Sequence, residues 1–154
     1  MQRTIMARAI ALSVQNVALG GGPFAALVVQ GGEIVAEGVN SVTTENDPTA
    51  HAEIMAIRAA CRVLETFELT GCEIYTSCEP CPMCLGAIYW ARPACVFYAN
   101  GAADAAKFGF DDAFIYAEIP RAHTQRKIPM IQAMRDDALA AFHAWEKKHN
   151  KIRY

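Results

Sequence analysis

A chain of 154 residues, 53% hydrophobic and 19% charged, is one domain's worth of sequence and long enough to bury a real core. Its formal net charge of −2 is a poor match for a polyanion, so a nucleic-acid grip built on phosphate contacts is not expected. Six cysteines without a secretory segment read as the thiols of a cytoplasmic protein, not a disulfide framework, and no apolar run reaches the length of a membrane span.

Residues 2–19 place Ile5, Met6, Ala9, Ile10, Ser13, Val14 and Val17 at helical spacing, and Arg3, Arg8, Gln15 and Asn16 make the helix amphipathic. Gly20-Gly21-Gly22-Pro23 ends it and reads as a turn, since no Lys-Ser/Thr follows to complete a phosphate cradle. Short apolar strands over 24–30 and 33–39 flank Gly31-Gly32, which predicts a hairpin. Asn40 ends the second strand. An amide there is by base rate a turn former, yet its donor and acceptor also suit the edge of a base. A polar loop leads to a helix over 50–65, starting near Ala50 with Thr49 or Asp47 as cap. A strand over 73–77, a helix over 81–91 stopped by Arg92-Pro93 and a strand over 94–99 imply a parallel right-handed crossover. Beyond residue 100 the pattern gives a short helix over 102–107, a helical turn through Tyr116 and a basic linker over 120–129. A fifth strand over 128–131, an amphipathic helix over 131–145 and a frayed basic tail complete the chain.

The chemistry concentrates in two short runs, His51-Ala52-Glu53 and Ser77-Cys78-Glu79-Pro80-Cys81-Pro82-Met83-Cys84. Cysteines three apart share one helix face, within reach of a single ion, and Pro80 suits a first helical position. His51 is the best third ligand. One imidazole and two thiolates leave a fourth position on zinc open to water, which is the catalytic arrangement. Residues two apart point to nearly opposite sides of a helix, so His51 and Glu53 can address one ion only at a frayed helix start. Two thiolates cancel the charge of Zn²⁺ and weaken its power to acidify water, so a nearby carboxylate, Glu53, is needed to take the proton. His-x-Glu followed by Pro-Cys-x-x-Cys is the signature of the zinc deaminases. A redox Cys-x-x-Cys would need neither His51 nor Glu53. A structural-zinc interaction protein would supply a further ligand soon after Cys84 and leave Glu53 without a purpose.

With these runs, Gly21-Gly22-Pro23-Phe24, Asn46-Asp47-Pro48-Thr49-Ala50, the stretch through Arg92-Pro93, Gly109-Phe110-Asp111-Asp112 and the terminal Tyr154, the chain resembles the bacterial guanine deaminases of the cytidine deaminase-like superfamily. Gly-Phe-Asp-Asp and the final tyrosine are the pieces more specific to the guanine branch. The resemblance implies a three-layer α/β/α fold with a mixed sheet of about five strands, and hydrolysis of guanine to xanthine and ammonia. One Zn²⁺ per subunit would be held by His51, Cys81 and Cys84, with Glu53 carrying protons and Asp112 aiding proton transfer or ring recognition. Phe24, Asn40, Ala52 and Tyr154 would meet the purine. It further implies a homodimer that exchanges its C-terminal segment, about residues 130–154, to close the active site. A tRNA adenosine deaminase shares the zinc motif but needs a basic cleft, and a nucleoside such as guanosine is the other alternative within the superfamily.

Overall fold

The tightest local instruction in the chain is the pair Gly31-Gly32. Their φ angles of +59° and +90° are those of a type I′ turn, whose twist matches the strands it joins. Around it Ala25–Gln30 (β1) and Glu33–Val39 (β2) pair antiparallel from Gln30–Glu33 to Ala25–Val39, with one irregularity between Val28 and Val29. The computed structural model describes all 154 residues, in two compact units, Met1–Asp112 and Ala113–Tyr154.

In the first unit, Gln2–Ala18 (α1) precedes the hairpin, and the short helix Val42–Glu45 (α2) leads to Ala52–Val63 (α3). Cys72–Cys78 (β3), Pro82–Ala91 (α4), Cys95–Asn100 (β4) and Ala102–Lys107 (α5) follow. The sheet order is β2-β1-β3-β4, antiparallel except for the β3–β4 pair, so the crossover through α4 links parallel neighbours as anticipated. The mixed α/β/α sandwich is therefore present. Its sheet has four strands, not about five, because residues 128–131 form none.

Alternation along the central strands fills both faces. Ala26, Val28 and Ile74 pack with Ala52, Ala56, Ala60, Ile88 and Ala91 on the side of α3 and α4, while Leu27, Val29 and Tyr75 meet Ile5 and Ala9 of α1. The inner face of α3 is a row of alanines at i, i+4 and i+8, all fully buried. Opposite them lies Gly38 of β2, where a Cβ would come within 2.3 Å of the Ala52 carbonyl oxygen and of the Ala56 nitrogen. Small residues on both sides let the helix lie directly on the sheet, which fixes where its N-terminus points.

The second unit contains Ala113–Glu118 (α6), a 3₁₀ turn at His123–Gln125 and Arg135–Lys147 (α7). Its connecting segment is hydrogen-bonded within itself: Arg126 donates to the carbonyls of Arg121 and Ile119, and Met130 N–H to that of His123. None of residues 113–154 is buried. No helix of the protein is long and apolar enough to cross a membrane.

Candidate active site

Two helix starts build the site. His51 is the N-cap of α3, with an extended backbone at φ −72° and ψ 153°, and Glu53 lies in that helix's first turn. The expected cap is displaced: neither Thr49 nor Asp47 caps α3. Instead Asp47 Oδ1 accepts the Thr49 N–H and the Thr49 hydroxyl, both at 2.7 Å, closing a turn that delivers the chain to His51. Cys81 is the N-cap of α4, its sulfur accepting the Cys84 N–H at 3.5 Å, and Pro82, not Pro80, takes the first helical position.

These starts bring His51 Nδ1 to 3.5 Å from Cys81 Sγ and 3.6 Å from Cys84 Sγ, with all three donor atoms within 4.8 Å of one another. Zinc bonds of about 2.0 Å to nitrogen and about 2.3 Å to sulfur, at the tetrahedral angle, put such atoms about 3.5 Å apart. Both nitrogen–sulfur separations thus match the edges of a zinc tetrahedron, and the two sulfurs lie within 4.8 Å of each other. Their proton affinities carry the same message. The hydrogen bond from Cys84, aided by that with His51, drives the Cys81 thiol down to about 4. The hydrogen bond to Cys81 and burial drive Cys84 upward, and the hydrogen bond with Cys81 raises His51. A thiolate pair that must share one proton is stabilised in full when a divalent cation replaces it. The residues present fit a zinc ion.

Glu53 is 6% exposed, and burial raises its pKa above the usual carboxylate value. Thr76 of β3, 1% exposed, donates its hydroxyl to Glu53 Oε1 at 3.1 Å and lies 3.0 Å from the Cys78 carbonyl oxygen. Asp112 is half-buried, with its pKa raised by burial and then by the charge of Cys81. Ala52 is wholly buried beneath the His51–Glu53 turn.

Of the residues expected to meet a ring, Asn40 is buried at the end of β2, and its Oδ1 accepts the Val42 N–H at 3.4 Å. Phe24 packs edge-on against Phe110, ring centroids 4.9 Å apart at 87°. Tyr154 ends the second unit, 73% exposed. Sequence reasoning missed the clamp behind Asn40. Asn16 Nδ2 of α1 donates to the Gly22 carbonyl at 2.8 Å and to the Asn40 carbonyl at 2.9 Å. A Cβ on Gly21 would strike the Asn16 amide at 2.4 Å, and one on Gly22 the Asn40 Oδ1 at 2.7 Å. The glycine run is more than a turn: two of its members make room for two buried amides. The signal available was Asn16 itself, a polar residue three after Ser13 on the helix stripe.

Residues 1–100 match the cytidine and deoxycytidylate deaminase zinc-binding region. The chain belongs to the cytidine deaminase superfamily. Within that superfamily it is 55% identical over 152 residues to guanine deaminase of Bacillus subtilis, covering 98% of this chain and 97% of the relative. The X-ray structure of guanine deaminase from Bacillus subtilis superposes with a TM-score of 0.97 at 54% identity, over 100% of this chain and 99% of that one. A tRNA-specific adenosine deaminase of Aquifex aeolicus is 50% identical over 70 residues, 46% of each chain. The superfamily member described here is thus a guanine deaminase-type chain over its whole length, with a His51/Cys81/Cys84 zinc site.

Proposed function

We propose that this chain hydrolyses guanine to xanthine and ammonia. The observation that carries the proposal is a metal-ready His51/Cys81/Cys84 cluster with a buried carboxyl, Glu53, two residues after His51, in a chain similar end to end to a guanine deaminase.

His51, Cys81 and Cys84 would hold zinc, which would supply Lewis acidity and ease the loss of a proton from water. Glu53 accepts a proton from the attacking water as its oxygen adds to the ring carbon bearing the amino group. Burial gives Glu53 a raised affinity for that proton, so it holds it and returns it to the ring nitrogen. A second transfer through the same carboxyl converts the amino group into departing ammonia. Asn40 hydrogen-bonds the purine edge. With Oδ1 engaged by Val42, its Nδ2 hydrogens serve a purine acceptor. Phe24, braced by Phe110, stacks on the ring, and Ala52 lines the floor. Asp112 takes part in ring recognition or proton transfer.

Two copies of the chain work together, each lending residues of about 130–154 to close the other's site through Tyr154. Support comes from the second unit's own composition: Ile128, Ile131, Met134 and Phe142 are all more than 70% exposed, a stripe that a partner subunit would cover. The net charge of −2 disfavours a tRNA substrate.

Purified zinc-loaded protein, assayed spectrophotometrically with guanine, guanosine, adenine and cytosine, tests the proposal. Loss of guanine absorbance with stoichiometric ammonia is the expected result. A zinc-replete preparation that leaves guanine untouched overturns it.

A further inference from the structure

We propose that Thr76 is a positioning residue for catalysis, its hydroxyl holding the Glu53 carboxyl in one orientation. The inference rests on the reading of Glu53 as the proton carrier. Thr76 and Glu53 are 1% and 6% exposed, so solvent is not at hand to replace a lost partner.

Thr76 Oγ1 stands between two groups of different kind: Glu53 Oε1 at 3.1 Å and the Cys78 carbonyl oxygen at 3.0 Å. A hydroxyl offers one hydrogen to give and lone pairs to receive. The Thr76 hydrogen is shared between the Glu53 carboxyl and the Cys78 carbonyl oxygen, a three-centre bond that ties the carboxyl to the main chain of the strand.

The strand supplies the rigidity this requires. Thr76 pairs with Ala26 on one side and Tyr98 on the other, and a β-branched side chain has few χ1 choices. The residue also lies on the same face of β3 as Cys72 and Ile74, both core residues on the side of α3 and α4. A polar side chain at the far end of that apolar row has no packing advantage over valine. Its distinguishing property is the hydroxyl.

The test compares Thr76→Val, Thr76→Ser, Thr76→Ala and Glu53→Gln in the zinc-loaded full-length protein, by steady-state kinetics on guanine with metal content measured alongside. Thr76→Val is expected to lower kcat by about 10–100-fold, the scale on which loss of orientation acts, with KM and zinc content unchanged. Thr76→Ser keeps the hydroxyl and is expected to recover most of the turnover. Should the valine variant not fold, the serine and alanine variants make the same comparison, serine high and alanine low. Equal losses in serine and alanine, a change confined to KM, or unaltered kcat without the hydroxyl overturns the role of Thr76 while Glu53→Gln remains inactive. Normal turnover by Glu53→Gln would instead remove the carrier reading, and the inference with it.

Discussion

Gly38→Ala is the sharpest test of how the fold sets the site. The added Cβ would lie 2.3 Å from the Ala52 carbonyl oxygen, 2.3 Å from the Ala56 nitrogen and 2.9 Å from Ala56 Cα, all backbone atoms of α3 that no rotamer change can clear. Ordinary contact for such atoms begins near about 3.5 Å, so α3 must retreat by about 1 Å over its first turns. His51 and Glu53 ride on that end of the helix, while Cys81 and Cys84 belong to α4. The retreat therefore opens the 3.5 Å and 3.6 Å separations between His51 Nδ1 and the two sulfurs. Overpacking of this kind costs about 1–3 kcal/mol in stability. A 1 Å displacement of catalytic groups costs about 10²-fold in rate. How far the helix yields decides which loss dominates: a helix that yields saves stability at the expense of zinc affinity and turnover, and one that holds does the reverse. Urea unfolding of the zinc-loaded protein, competition for zinc with a chromophoric chelator, and kcat on guanine read the three quantities. G38A with wild-type values in all of them would refute the argument that this close approach sets the site.

Glu53→Gln should retain zinc and lower turnover by about 10²–10⁴-fold, measured as ammonia release per bound metal; loss of the metal would instead make Glu53 a ligand. Asn40→Ala should raise KM on guanine by about tenfold, as expected when a buried polar edge loses its partner, and unchanged KM would reduce Asn40 to a turn former. Hydrogen bonds from the Thr49 side chain and backbone, aided by Arg58, hold the Asp47 carboxyl below its usual value of 3.8. A depressed native pKa contributes stability that is present above the unfolded value and is lost as pH falls through the native one, so the advantage of wild type over Asp47→Ala in urea midpoints should shrink on acidification. Removing Ile152–Tyr154 should lower kcat/KM more than the melting temperature, and a fully active truncated chain would take the tail out of the site.

What was legible in the sequence was whatever a few adjacent residues decide by themselves. Gly31-Gly32 could only be a tight turn between two apolar runs, and both strands lie where the pattern put them. His51, Cys81 and Cys84 were legible because metal chemistry restricts residue type and spacing more tightly than packing does. Less legible were features decided by residues far apart in the chain. Gly38 looks like any strand glycine until α3 is seen lying on it, and Gly21 and Gly22 look like turn formers until Asn16 and Asn40 are seen beneath them. Thr76 reads as one more β-branched strand residue until Glu53 is found 23 positions away in sequence and 3.1 Å away in space. The misplaced details have local causes of the same kind. Pro82 displaced Pro80 from the helix start because Cys81 is itself the cap, its sulfur bonding the Cys84 N–H. The run at 128–131 has strand-like residues, but the N–H of its own Met130 is bonded to the His123 carbonyl, and a strand needs a ladder as well as a propensity.

The charges of the site close on a simple balance that bears on what it can accept. Zn²⁺ against two thiolates is neutral, and ionised Glu53 adds one negative charge. His51 and Cys81 are N-caps of α3 and α4, so two helix N-termini address the site, each equivalent to about half a positive charge. The sum over these groups is near zero, and Asp112, close enough to feel the charge of Cys81, adds at most one negative charge. A neutral heterocycle is not repelled by such a site, and charge that develops on it as water adds is met by dipoles already fixed in place by the sheet. A polyanionic substrate gains nothing from such a site, and the protein's net charge of −2 offers it no compensating attraction elsewhere. Both the local balance and the overall charge therefore favour a free base over a nucleic acid.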